Sequence, residues 1–241
     1  FLQSPAARKK RKRLVLLKKV AYIWGIFWRF RFYILCAGLA MGLWDSALIK
    51  PFRFFVVMVH EVCHAGAALL TGGGVIEVRT HWNESGHTLT QGGIFPLISA
   101  AGYVGSALLG ALLIYTGIYP RVQRLVLGLI GAACLGMTMA YTPVGGVDFF
   151  LGIGGGFVLL ALAIKSQRAA EAGAIWMGIM LCLYSMFDFR TDLWEYPEMT
   201  DAGILARHWG MPWMTYPIAF SWVLVSMSFM YRSMRALVKR G

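Results

Sequence analysis

Charge is scarce in this chain. Of 241 residues, 14% are Asp, Glu, Lys or Arg, where a soluble domain carries about 25%. Acids are the scarcer sign, with eleven against 23 Lys and Arg. Asparagine occurs once, at Asn83. Cysteine occurs four times, at Cys36, Cys63, Cys134 and Cys182, each alone in an apolar run. No pair has zinc-knuckle or redox spacing, so these cysteines read as small packing residues. The shortage of polar residues excludes a soluble fold. A mean hydropathy of +0.62 makes this a multi-pass integral membrane protein.

What charge there is gathers at the ends. Arg8 to Arg13 is an unbroken basic run, followed by Lys18 and Lys19, and Arg232, Arg235, Lys239 and Arg240 close the chain. Beside apolar spans, such blocks set orientation and touch anionic lipid. They do not point to nucleic acid.

Residues 1–13 read as a disordered basic tail, and 14–31 as an interfacial helix that mixes Trp and Leu with Lys and Arg. The apolar segments that follow are 32–49, 52–71, 94–117, 125–141, 147–164, 172–187 and 213–231. Seven crossings would separate the two basic ends, which the positive-inside rule disfavours. About six full spans are therefore expected, with both termini cytoplasmic and the Gly-rich 147–164 not fully crossing. Between the second and third spans, Val75–Trp82 and His87–Gln91 alternate apolar and polar residues around Asn83-Glu84-Ser85-Gly86. That pattern predicts a small β-hairpin. Such a hairpin is viable only at the surface or lining a cavity. The predicted fold is thus an all-α polytopic membrane protein with one hairpin. It divides into a basic tail and interfacial helix (1–31), a membrane domain (32–231) and a basic C-terminal tail (232–241).

The second span carries the chemistry: His60-Glu61-Val62-Cys63-His64. Residues four apart share a helix face, so His60 and His64 present two imidazoles to one point. Two such His suit zinc, and a Glu beside them suits a general base that takes a proton from the attacking water. Burying two His and a Glu in lipid is costly without a function. Cys63 points away from the His face and is not counted as a ligand. A catalytic zinc usually takes a third protein ligand. His87, Asp188, Asp192, Asp201 and His208 are all candidates, and side-chain chemistry alone does not choose among them.

Several features in order resemble the site-2-protease family of intramembrane zinc metallopeptidases, specifically its small site-2-protease-like branch. They are His60-Glu61-Val62-Cys63-His64-Ala65, the Thr71-Gly72-Gly73 stop and Gly-rich hairpin, Ala101-Gly102-Tyr103-Val104-Gly105-Ser106, and Thr200-Asp201-Ala202-Gly203. The resemblance covers roughly residues 52–215. It implies Zn2+ held by His60, His64 and Asp201, with Asp188 the alternative third ligand, and Glu61 as catalytic base. It also implies a zinc metalloendopeptidase acting on membrane-protein substrates, which must unwind before their carbonyls are accessible. The exposed edge of the hairpin is the expected seat for the unwound segment. The wider family's substrate-positioning Asn has no counterpart here. That departure keeps open an alternative: a catalytically silent, peptidase-like subunit among other membrane subunits. A transporter built on the buried Glu61 and His residues is the remaining reading, and it predicts no stoichiometric zinc.

Overall fold

The computed structural model describes residues 5–240, with side chains from Leu14 onward except those of 188–193, 195 and 240. Long apolar runs produce long helices. These are α1 (Pro5–Gly42), α2 (Lys50–Leu70), α5 (Pro120–Tyr141), α6 (Val147–Lys165), α7 (Gln167–Glu195) and α9 (Thr215–Arg240). Between α2 and α5 come β1 (Gly74–Thr80), β2 (Gly86–Gln91), α3 (Phe95–Ala100) and α4 (Ser106–Tyr115). The last two are joined by one π-helical stretch, Ala101–Gly105. A short α8 (Asp201–His208) precedes α9.

Among the described residues, seven helices are long and apolar enough to cross a membrane, and the two strands form an antiparallel hairpin where the alternation placed it. Two boundaries differ from the sequence reading. The expected tail, interfacial helix and first span merge, from Pro5, into the single helix α1. The segment 147–164 is not short: α6 has 19 residues, about 28 Å at the helical rise, which matches the hydrocarbon core. Its glycines do not interrupt it. Positions 152, 155 and 156 are small because Met58, Phe55 and the Gly131 backbone pack there.

Contacts fix the helix directions. Phe52 meets Trp176 and His60 meets Tyr184, so α2 runs parallel to α7. The α1 stretch 27–35 lies along the first turns of α7, and Trp44 stacks on Phe187, so α1 also runs parallel to α7. Consecutive helices α1 and α2 therefore point the same way. The chain steps back through the turns at 43–49 to begin α2 beside the middle of α7. Phe30, Tyr33, Ile118 and Leu237 share one cluster. It brings the middle of α1, the α4–α5 turn and the end of α9 to one end of the bundle.

Helices α2 and α7 are the most enclosed of the spans and α1 the least. A small-residue stripe, Gly102-Ser106-Gly110, admits two neighbouring helices. Gly110 faces α7, where an added Cβ would stand 2.8 Å from the Gly178 carbonyl oxygen. Gly102 faces α2. Gly110→Val would push these backbones apart and is expected to lower stability by about 1–3 kcal/mol. The measurement is the unfolding midpoint of the detergent-solubilised protein.

The turn half of the hairpin is strapped to the helices. The Thr142 hydroxyl donates to the Val78 carbonyl at 3.1 Å, and Arg79 pairs with buried Asp148 at 2.7 Å. At the turn, Glu84 pairs with Arg53 of α2 at 2.9 Å and Trp82 packs on Phe54. A bulge between Val75 and Glu77 bends β1.

Candidate metal centre

Helix α2 begins at Lys50 with Pro51 in its first turn, and stops where Gly72 takes φ +82°. Between those ends the apolar face of α2 packs on α5, α6 and α7. His60, Glu61 and His64 fall on a buried side of the helix, each less than 7% exposed.

The third donor comes from 141 residues later. Thr200 is the N-cap of α8: its hydroxyl accepts from Gly203 N–H at 3.1 Å and donates to the Pro197 carbonyl at 2.8 Å. That turn aims Asp201, the first residue of α8, back at α2. Phe95 of α3 packs on the His208 ring and pins the far end of α8. His60 Nε2, His64 Nε2 and Asp201 Oδ2 are each 3.1 Å from the other two. Bonds of about 2.0 Å to a tetrahedral zinc set donors about 3.3 Å apart, so the triangle fits. Burial raises the Asp201 carboxyl, but the adjacent His64 and His60 more than offset this and hold it below the ordinary carboxylate range.

The chemistry of the donors supports the fit. His64 Nδ1 lies 2.6 Å from the Ile98 carbonyl, which only accepts, so Nδ1 carries a hydrogen. In the neutral ring, Nε2 is then a lone pair facing the Asp201 carboxylate, and the two repel unless they share a cation. The Ile98 carbonyl is also the kind of partner that orients metal-bound His. The His60 ring is held edge-on by Tyr103 and Tyr184. Space is reserved as well: a Cβ at Gly102 would run into both Nε2 atoms. Gly102 and Tyr103 belong to the π-helical stretch, a distortion that often marks functional sites. The three residues thus form a group able to hold a metal ion.

Glu61 lies beside the triangle. Its Oε2 accepts from the Thr88 hydroxyl at 2.7 Å, and its side chain lies against Gly86. Strand β2 therefore positions the acid on α2. A cleft of about 720 Å3 runs past these groups, walled by β2, α2, α3 and the 196–204 segment. The hairpin lines a cavity, as membrane burial requires.

Of the sequence candidates, His60, His64, Glu61 and Asp201 converge. His87 lines the same cleft but stacks near His81 at 5.7 Å and stays out of the triangle. His208 packs on Phe95. The side chains of Asp188 and Asp192 lie outside the described residues. Cys63 packs against Gly105, away from the donors. Thr88 and Gly102 were missed. A Thr in an alternating strand carries no signal of its own, and a Gly among small residues of an apolar span is indistinguishable from ordinary helix packing.

The hydroxyl of Thr88 fixes which carboxylate oxygen of Glu61 is free. In the zinc peptidase that the resemblance implies, Thr88→Val should lower turnover by about tenfold, the order of one lost charge-assisted hydrogen bond, with zinc content and substrate KM unchanged. Thr88→Ser, which keeps the hydroxyl, should restore turnover. Equal loss in both variants would assign Thr88 a packing role.

Comparison with known proteins agrees with this geometry. Residues 33–233 match the family model described as Peptidase M50B-like. No curated protein and no solved structure matches the chain. With 33–233 matched, the chain belongs to the Peptidase M50B-like family, which is the site-2-protease family.

Proposed function

We propose that this protein is an intramembrane zinc metallopeptidase that hydrolyses peptide bonds of membrane-embedded substrates. One observation carries the reading: three donors 3.1 Å apart with a carboxylate beside them, where His60, His64 and that carboxylate stand on a helix apolar enough to span a membrane and Asp201 reaches them from α8. Zinc held by His60, His64 and Asp201 would supply a Lewis acid for the scissile carbonyl and lower the pKa of the attacking water. Glu61 takes the proton from that water and returns it to the leaving amine. Thr88 holds Glu61 in place, and Ile98 holds His64. Strand β2 lines the cleft from Gly86 to Thr90. An unwound substrate segment seats along its free edge as an added strand. N-methylation of alternate amides in the cleaved segment should then weaken binding, and equal binding would count against the added strand.

Charge orients the molecule. Arg29, Arg31, Arg121, Arg124, Lys165, Arg168, Arg232 and Arg235 lie towards the end shared by the α1 middle, the α4–α5 and α6–α7 turns and the α9 terminus. Among the described residues, the only acid there is Glu171. That end faces the cytoplasm with both termini, because basic loops stay on that side. Because α1 and α2 run the same way, they make one net crossing, which gives the even count this placement needs.

The test is metal analysis joined to cleavage of a single-pass substrate in liposomes. The unsubstituted protein should carry about one zinc, and cleavage should stop on chelation and return with zinc. Asp201→Ala should lose both metal and cleavage, whereas Asp188→Ala should keep both. Full cleavage after complete chelation would overturn the reading, and loss of metal only in Asp188→Ala would move the third ligand.

A further inference from the structure

A concavity separate from the metal centre lies at the basic end, between α1 and α7. It has a volume of about 880 Å3. Phe32 and Leu35 of α1 and Ala172 and Ile175 of α7 wall it, and Arg29, Arg31 and Arg168 stand at its rim. We propose that this groove holds one anionic phospholipid, its headgroup on the three guanidinium groups and an acyl chain along the apolar walls.

The shape follows from the parallel course of the two helices. Arg168 opens α7, with Ala172 and Ile175 one and two turns further on; Arg31 precedes Leu35 by one turn. Charge therefore sits at the mouth of the groove and hydrocarbon-like surface below it on both walls, the order in which a lipid presents phosphate and chain. All three arginines are exposed. Arg31 uses one nitrogen on the Trp28 carbonyl at 2.6 Å, and Arg29 lies over the Phe30 ring. Among the described residues, none of the three is in an ion pair, and Glu171 is the only acid lining the groove. Arg124, by contrast, is occupied: it donates to the Ala163 and Ile164 carbonyls at the end of α6. Basic pockets between membrane helices on the cytoplasmic side suit anionic headgroups, and arginine suits phosphate for its forked donors.

The experiment is native mass spectrometry of the full chain in detergent, titrated with phosphatidylglycerol or phosphatidylcholine of identical chains. Phosphatidylglycerol should bind at one site, at least about tenfold more tightly than phosphatidylcholine. The triple variant Arg29→Gln, Arg31→Gln, Arg168→Gln should lose that preference. Arg232→Gln with Arg235→Gln, which removes charge from the same end outside the groove, should change it less than about twofold. Arg168→Gln alone, at an exposed position, should weaken binding several-fold and serves if the triple variant does not fold. Equal binding of the two lipids, or phosphatidylglycerol binding unchanged in Arg168→Gln, would overturn the proposal.

Discussion

Glu61→Gln should reduce peptide-bond hydrolysis by about 100- to 10,000-fold, the range for losing a positioned general base, while zinc stays bound at the level of the unsubstituted protein. The two halves of this expectation come from different parts of the geometry. The donors of the triangle are His60, His64 and Asp201, and Glu61 is not among them. Gln matches Glu in shape and still accepts the Thr88 hydroxyl through its carbonyl oxygen, so β2 should keep its place against α2. What Gln cannot do is take a proton. Cleavage of a single-pass substrate in liposomes, measured alongside bound metal, reads both halves at once. A variant that keeps its zinc and still cleaves at the unsubstituted rate would remove Glu61 from the chemistry. A variant that loses its zinc would mean that the carboxylate helps to build the metal site.

The parts of this site legible in the sequence were those encoded locally. The four-residue spacing of His60 and His64 is a property of one helix, and alternation with Asn83-Glu84-Ser85-Gly86 marks one hairpin. Asp201 was different. Its neighbours mark no more than a helix start, where Thr200 is the capping residue. The choice of Asp201 over His87 or His208 rested on resemblance, because what brings it to α2 is packing between segments 141 residues apart. The direction of α1 was illegible for a related reason. Hydropathy reports that a segment is apolar, not which way it runs, so 147–164 was chosen as the non-crossing segment on its glycines. Those glycines instead receive Phe55, Met58 and the α5 backbone. Thr88 was invisible because one hydroxyl on a strand has no pattern until its partner is known.

Gly102→Ala should sharply weaken metal binding, although it adds one methyl group to a residue that ligates nothing. A Cβ built on Gly102 runs into Nε2 of His60 and of His64 together. Neither imidazole has room to retreat: His64 is tied through Nδ1 to the Ile98 carbonyl, and the His60 ring is flanked by Tyr103 and Tyr184. The backbone does not yield easily either, since Ser106 donates to the Gly102 carbonyl at 2.6 Å and Gly105 closes on Cys63 one turn along. The methyl therefore spreads the two nitrogens or occupies the space in front of them. Zinc affinity should fall by at least about 10- to 100-fold, the cost of disturbing the surroundings of metal ligands, and cleavage should fall with it. Gly105→Ala is the matched control. Its Cβ would stand 3.1 Å from the Cys63 Cβ, on the same helix pair but away from the donors. It should cost some stability and keep its zinc. If both variants bind zinc as tightly as the unsubstituted protein, the ion does not lie between α2 and the π-helical stretch. If both lose it, Gly102 acts through helix approach and not through the space it leaves at the two nitrogens.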